Sequence, residues 1–539
     1  MTLRLNVPPN DLDESLLAAS STPAIVWTIA GSDSGGGAGI QADLATLQDL
    51  QCHGCTVITA ITAQNSVAVD KVTPVDESTL LAQLNALLSD LPPDAIKMGM
   101  VANQAQLMII AKWLTTALSE LELRKGKPIP LIVDPVMVAS CGEPLASNLD
   151  YSVLSGLVTL LTPNADELAF MNSDAARDGA GIVAATTDLA KHLDCNVLAK
   201  GGDKGLLWHP HVATDLFICL QAAGVCPLHQ GQAFMLSSRR STNPNHHGSG
   251  CTLSTAIAAM LAQGFVMHDA ILLAKAYVSQ GIAQAEQIGQ GAGPLARTGW
   301  PKDMAYFAEI KRIESDDDLS KVEVSPFIFP RLRLPLGVYP VVDCLTQLAR
   351  LLHCGATTVQ LRLKVESGID AQRLETEICA AIALGRRYQA QVFINDHWQL
   401  ALKHGAYGVH LGQEDLHDAD LALIAAHGLA LGVSSHGYFE LKLAAQFKPS
   451  YVALGHIFAT TTKQMPSLPQ GLVNLTRYAA LLAEDLPTVA IGGIDATRLQ
   501  SVKVTGVDGI AVVRALKEGL SVESAYHALH AAWEEGYGA

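Results

Sequence analysis

The sequence predicts two α/β domains in tandem: an open, mostly parallel sheet with helices on both faces, followed by a (β/α)8 barrel. Three observations carry this. The chain is 539 residues long, 49% hydrophobic and only 5% aromatic, a composition suited to helices packed on parallel strands. From Ala24 to Gly293, apolar strand-like runs alternate with helical ones. From Leu336 onward the alternation repeats as eight units within roughly 200 residues, the signature of a compact barrel.

The strands expected in the first domain are "AIVWTIAGSD", "CTVITAITAQN", "AIKMGMV", "PLIVDPVMV", "VTLLTPNADEL" and "NVLAKGGD". Several are apolar throughout, as strands covered on both faces should be. Each ends in Gly, Asp, Asn or Lys, at the sheet edge where open α/β sheets bind ligands. The stretch from Asn245 to Gly264, "NHHGSGCTLSTAIAAMLAQG", opens on small residues. Leu253, Ile257, Met260 and Leu261 then recur at helical spacing, and Gly264 is the expected stop. "WHPHVATDLF" reads as an exposed hairpin with surface histidines.

Residues 294–335 read as a linker between a first domain at 24–293 and a second at 336–539. "ESDDDLSK" is a charge run and "SPFIFPRLRLP" holds three prolines. Asp316 to Asp318 read as a solvated stretch, with a helix start as the alternative. Trp300 and the Phe327 to Phe329 segment either dock one domain on the other or cover a core edge. The eight barrel runs are "LGVYPVVD", "TTVQLRLK", "QVFINDH", "GVHLGQED", "ALGVSSH", "YVALGHIF", "TVAIGGID" and "GIAVVRAL".

A net charge of -16 argues against a nucleic-acid or anionic-membrane partner. Phosphates would have to be held by local devices: loops, a few cations, metal ions. The polar, acidic first 22 residues lack the pattern of a signal peptide, and no apolar run reaches membrane-spanning length. Ten cysteines, mostly inside apolar runs, point to a reduced, cytoplasmic protein. Cys52 and Cys55 in "CHGC" have metal or redox spacing, but no second pair lies nearby. A structural role is the favoured reading.

Two sets of residues carry chemistry. In the first domain, "HHGSGCTLS" offers the free N–H groups of Gly248, Ser249 and Gly250 and the dipole of a helix start, an anion site. A tight turn before a core helix would look the same. "AGSDSGGGAGIQADL" is a second glycine-rich turn, with Asp43; Gln64 ends a strand; Asn164, Glu167 and Lys200 supply carboxylate and cation for phosphate and Mg2+. In the second domain, Gln360, Arg362 and Lys364 alternate with apolar residues and so share one strand face. Asn395 and Asp396 end one strand and Asp415 the next, so the two aspartates can share a Mg2+. Ser434, Thr460, Thr461, Thr462 and Lys463, with Gly492 and Gly493, complete a mouth suited to a diphosphate and a second phosphate.

The first set resembles hydroxymethylpyrimidine/phosphomethylpyrimidine kinase, of the ribokinase superfamily. It does so over about residues 24–300, on "AGSDSGGGAGIQADL", "TAITAQNS", "KMGM", "DPVM", "LLTPNADE", "KGGD" and "HGSGCT". The resemblance implies a ribokinase-like sheet and two ATP-dependent phosphorylations of 4-amino-5-hydroxymethyl-2-methylpyrimidine. It implies that Asp43, Gln64 and Met100 line the pyrimidine pocket, that Asn164, Glu167 and Lys200 serve ATP and Mg2+, and that Gly248 to Cys251 hold the transferring phosphoryl group. Wider relatives carry an Asp base where Cys251 stands. A thiol at a helix start is expected to have a lowered pKa, so Cys251 reads as base or positioner, the alternative being a residue that packs on the ring. His246 and Ser249 stand where threonines are expected, and "CGEPL" carries Cys141 without an expected basic residue.

The second set resembles thiamine-phosphate synthase over about residues 336–520, on "QLRLK", "IND", "GVHLGQEDL", "GVSSH", "GHIFATTTKQMPSLPQGL" and "IGGI". The implied reaction joins the pyrimidine diphosphate to a thiazole phosphate, or its carboxylate, giving thiamine phosphate and pyrophosphate. The implied ligands of the pyrimidine diphosphate are Gln360, Arg362, Lys364, Asn395, Ser434 and Lys463. Asp396 and Asp415 would bind Mg2+; Thr460, Thr461, Thr462, Gly493, Val513 and Arg514 would contact the thiazole phosphate. Ala459 and Arg514 stand where proline and serine are common. The whole is expected to be a bifunctional, homo-oligomeric enzyme acting on small molecules, whose two halves share one intermediate. Pyridoxal as kinase substrate, or a regulatory role for one half, are the competing readings.

Overall fold

The computed structural model describes residues 22–138, 149–172, 181–202, 205, 207–220, 231–316, 327–363, 370–459, 468–517 and 520–535. The chain divides into two compact units, Ala24–Val324 and a second that includes Ser325–Ala539.

Among the described residues of the first unit, ten strands form one sheet. In chain order they are β1 (Ile25–Ser32), β2 (His53–Gln64), β3 (Val69–Pro74), β4 (Ala95–Met98), β5 (Leu131–Val133), β6 (Leu160–Leu161), β7 (Asn196–Ala199), β8 (Val212–Ile218), β9 (Ala233–Arg239) and β10 (Glu309–Ile313). Their spatial order is β10-β9-β8-β7-β6-β5-β4-β1-β2-β3. The six central strands, β7 to β2 in that order, are parallel and correspond to the six runs read from the sequence. Antiparallel strands finish both edges. Chain direction across the sheet reverses between β1 and β4, the crevice where such sheets bind ligands.

The edges differ from expectation. "WHPHVATDLF" supplies β8, which is not an exposed hairpin: Thr214 to Ile218 are buried between β7 and β9. Its Asp215 carboxylate meets Lys275 Nζ at 2.8 Å, a buried pair that ties β8 to a helix. His209 and His211 are exposed. The stretch read as linker holds β10, which pairs with β9 and completes this sheet. Asp316 accepts the Val183 N–H at 3.1 Å and so ties the part of that stretch just after β10 to the first unit. Trp300 lies against Phe265, with ring centroids 5.5 Å apart. Cys52 and Cys55 are buried free thiols.

In the second unit β11 (Gly337–Val342), β12 (Thr358–Leu361), β13 (Gln391–Asn395), β14 (Gly408–Leu411), β15 (Ala430–Ser435), β16 (Tyr451–Gly455), β17 (Thr488–Ile491) and β18 (Gly509–Val512) close into a parallel barrel. Aromatic rings fill its interior. Phe393 lies edge-on to Tyr451, centroids 5.1 Å apart, and Tyr339 stands 5.8 Å from Tyr451. Small residues opposite make the room. A Cβ on Gly432 would come 2.2 Å from Cζ of Tyr451.

Gly432→Ala is therefore expected to destabilise the barrel by about 1–3 kcal/mol through overpacking. Calorimetric melting of the full chain checks this; a barrel transition unmoved by the substitution would show that the Tyr451 ring shifts at no cost.

Candidate functional site

The crevice between β1 and β4 is organised by a buried ion pair. Thr28 and Lys97 are register partners on these strands. Lys97 Nζ lies 2.7 Å from Asp43 Oδ2, and both side chains are fully buried. Thr28 donates to the same oxygen at 2.5 Å and Thr255 to Oδ1 at 2.7 Å. A lysine in a strand covered on both faces needs such a partner. Burial alone would lower the Lys97 pKa; Asp43, with Cys251 and Asp134 adding to it, more than offsets this, and the ammonium is held charged. Asp43, expected by resemblance to line a pyrimidine pocket, is fully buried as the internal counterion of Lys97.

Cys251 stands in the first turn of the Ser249–Ala262 helix and interacts electrostatically with Lys97. Burial pushes its thiol up to about 11 against the pull of Lys97, with Asp43 and Asp134 adding to the rise. This reverses the lowered pKa expected at a helix start. Loss of water and two nearby carboxylates outweigh the pull of Lys97 and of the Gly39 N–H.

A second lysine–carboxylate pair meets the same helix end. Lys200, just past β7, lies 2.7 Å from Asp134 Oδ1, just past β5. Thr162 and Ser254 donate to Asp134 at 3.2 and 3.4 Å. A Cβ on Gly250 would stand 3.3 Å from Lys200 Nζ, so the ammonium sits at the helix mouth. Asn164 and Glu167 stand on the next strand end and cap the Ala165–Met171 helix reciprocally. Asn164 N–H donates to Glu167 at 2.7 Å and Glu167 N–H to Asn164 Oδ1 at 2.9 Å. Burial, reinforced by Asp134 and opposed by Lys200, pushes the Glu167 carboxyl up to about 7.

The two glycine-rich turns differ in kind. In the first, the Asp33 carboxylate accepts the N–H groups of Gly35, Gly37 and Ala38 at 2.8, 3.1 and 2.8 Å, with His247 Nε2 at 3.3 Å. That nest is filled by the chain's own anion. The second turn, Gly248 to Cys251, opens the helix. The turns interlock: a Cβ on Gly37 would come 2.1 Å from the His247 ring, and one on Gly248 1.9 Å from the Gly37 carbonyl. Gln64 ends β2, where its N–H donates to Ser34 Oγ at 2.8 Å. Met100 packs on Gly31 past the end of β4.

At the C-terminal mouth of the barrel, Gln360 Nε2 donates to Asn395 Oδ1 at 2.5 Å, so both side chains face inward as the alternation requires. Arg362 follows on the same face and interacts with His410. His410 Nε2 lies 2.8 Å from Ser434 Oγ. Asp396 is exposed just past β13, with a φ of 64°, and Asp415 accepts the Gly412 N–H at 3.2 Å just past β14. Two carboxylates on neighbouring strand ends are hard oxygen donors, the ligand chemistry that suits Mg2+. Among the described residues no group of three or more His, Cys, Asp or Glu forms a metal cluster. Gly493, with a φ of 67°, turns the chain after β17, and Val513 and Arg514 follow β18. Lys364, Thr460, Thr461, Thr462 and Lys463 lie outside the described residues.

Sequence reasoning did not single out Asp33, Lys97, Asp134, Thr255, His410, Tyr451 or Tyr339. For Lys97 the signal is a lone cation inside the apolar run "AIKM". For His410 it is a polar residue at an inward position of "GVHL".

Residues 33–296 match the family model for phosphomethylpyrimidine kinase, and residues 338–516 that for thiamine monophosphate synthase. Over 188 residues the chain is 57% identical to the thiamine-phosphate synthase of Yersinia pseudotuberculosis serotype O:1b, covering 35% of this chain and 86% of that one. Among solved structures, the pyridoxal kinase of Staphylococcus aureus in complex with pyridoxal is 26% identical, with a TM-score of 0.44 over 54% of this chain and all of that one. A phosphomethylpyrimidine kinase from Clostridium difficile is 30% identical, with a TM-score of 0.38 over 48% of this chain and 99% of that one. The chain belongs to the phosphomethylpyrimidine kinase family in its first part and to the thiamine-phosphate synthase family in its second, and is a bifunctional enzyme of thiamine biosynthesis.

Proposed function

We propose that the first unit, residues 24–324, phosphorylates hydroxymethylpyrimidine twice with ATP, and that the barrel, residues 325–539, joins the resulting diphosphate to thiazole phosphate in the cytoplasm. The observation that carries this reading is the convergence of Lys200 and the open Gly248–Cys251 turn on one helix end, in a chain whose barrel mouth gathers Gln360, Arg362, Asn395 and Ser434.

In the kinase unit the N–H groups of Gly248, Gly250 and Cys251 and the Lys200 ammonium receive the transferring phosphoryl group, the Ser249 N–H being bonded to the His246 carbonyl at 3.2 Å. Phosphoryl transfer is loose, so positioning and charge stabilisation supply most of the catalysis. Cys251 remains a thiol near neutral pH. It acts by placing the hydroxymethyl group beside the helix start, not by taking its proton. Gln64 and Met100 border the pyrimidine, while Asp43 holds Lys97 beneath. Asn164 and Glu167 stand on the nucleotide side, where the Glu167 carboxylate would hold Mg2+, which would neutralise nucleotide phosphate charge.

In the barrel, Arg362, Lys364 and Lys463 neutralise the diphosphate while Ser434 and the Gln360–Asn395 pair orient the substrate. The C–O bond to the diphosphate breaks, its electron pair leaves with pyrophosphate, and the thiazole nitrogen forms the new C–N bond to the methylene. Asp396 and Asp415 would hold Mg2+, which supplies further neutralisation of the leaving group. Thr460 to Thr462, Gly493, Val513 and Arg514 face the thiazole phosphate in this reading.

Purified protein given hydroxymethylpyrimidine, thiazole phosphate, ATP and Mg2+ should form thiamine phosphate and pyrophosphate. Accumulation of the pyrimidine diphosphate alone would remove the synthase assignment, and a preference for pyridoxal would remove the kinase one. Lys200→Met should cut kinase turnover by about 10²–10³-fold while leaving synthase activity on supplied diphosphate intact; equal loss of both activities would contradict the division of labour. Alkylation of Cys251, followed by mass spectrometry against pH, should have its midpoint above the roughly 8.5 of a free cysteine. A midpoint below that value would restore Cys251 as a poised base.

A further inference from the structure

A file of hydrogen-bonding side chains crosses the barrel interior. Tyr339 Oη lies 2.9 Å from Tyr451 Oη, Tyr451 Oη 2.7 Å from His410 Nδ1, and His410 Nε2 2.8 Å from Ser434 Oγ. Tyr339, Tyr451 and His410 are buried, exposed by only 1, 0 and 6%. Ser434 is half-buried at the mouth. The His410 ring stacks on Tyr451 at an interplanar angle of 23°.

The direction of each proton follows by elimination. Among the described residues, the Tyr339 hydroxyl has Tyr451 as its one partner. A buried O–H left without an acceptor costs about 1–3 kcal/mol, so Tyr339 donates to Tyr451. The Tyr451 proton then has one acceptor left, Nδ1 of His410. A ring whose Nδ1 accepts a hydrogen bond from Tyr451 is neutral and carries a single proton. With Nδ1 accepting, that proton sits on Nε2 and is donated to Ser434 Oγ.

We propose that Tyr339, Tyr451 and His410 form a one-way relay that fixes the Nε2–H tautomer of His410 and turns Ser434 into an obligate donor aimed at the barrel mouth. Once its oxygen accepts from His410, the serine's own proton points outward, to an anionic oxygen. The ligand class is an oxyanion, and in the reading above, on which this rests, it is the pyrimidine diphosphate. Tyr339, Tyr451 and His410 are positioning residues: they act through Ser434 and touch no substrate.

Two measurements on the full chain test this. With histidine side chains labelled in 15N and the His410 signals assigned by their loss in His410→Asn, Nε2 should appear protonated and Nδ1 unprotonated at neutral pH. The opposite tautomer, or an imidazolium, would overturn the relay. In kinetics with supplied pyrimidine diphosphate and thiazole phosphate, Tyr451→Phe should raise KM for the diphosphate about tenfold, the loss expected for one hydrogen bond, and change kcat less. In a Ser434→Ala background the same substitution should change KM by less than about twofold, because its route to substrate is gone. Equal increases in both backgrounds, or none in either, would overturn the proposal. A wild-type chain that makes no thiamine phosphate would instead overturn the barrel's assigned reaction, and the spectrum alone would decide the proton direction.

Discussion

The Lys97–Asp43 ion pair is the constraint on which the first unit's site depends. Two opposite charges without water are tolerated only if each is paired and further hydrogen-bonded. Here Thr28, from β1, and Thr255, from the Ser249–Ala262 helix, complete the carboxylate's shell. One carboxylate on the Gly39–Asp49 helix therefore ties together β1, β4 and a second helix. The helix start carrying Cys251 is held over the point where the strand order reverses. The high thiol pKa is a consequence of the same desolvated, carboxylate-rich surroundings.

Both units use one device in different forms: a buried polar file ending at a strand tip. In the first, Asp134 gathers Thr162, Ser254 and Lys200 below the glycine-rich helix start. In the second, tyrosines and a histidine lead up to Ser434. In each case the group at the mouth has a geometry determined by partners that no solvent reaches. Such preorganisation avoids reorganisation when an anion arrives.

Much of this was legible from residue order alone. Continuous apolar runs ending in Gly, Asp or Lys gave away the six parallel strands, and eight repeats gave away the barrel. The antiparallel edges were not legible. β10 lies in a stretch whose charges and prolines resemble a linker, and it becomes a strand because β9 offers an open edge. Among site residues, Gln360 and Arg362 were singled out by strand alternation, and Asn395 and Ser434 by their place in runs that end at the barrel mouth. The burial of Asp43 and the upward shift of the Cys251 thiol were not legible, because sequence shows a carboxylate or a thiol without its degree of desolvation. Asp33 escaped notice because a carboxylate that satisfies its own loop is indistinguishable, in one dimension, from one awaiting a ligand.

The contact between Gly37 and Gly248 bears on how such motifs are interpreted. At these two positions any side chain would wedge the turns apart, whatever chemistry the enzyme performs. Glycine there marks two pieces of backbone nested within van der Waals reach. A pattern search that counts both as nucleotide fingerprints would be scoring carpentry as catalysis, and would accept a chain that had kept the joint while losing the reaction.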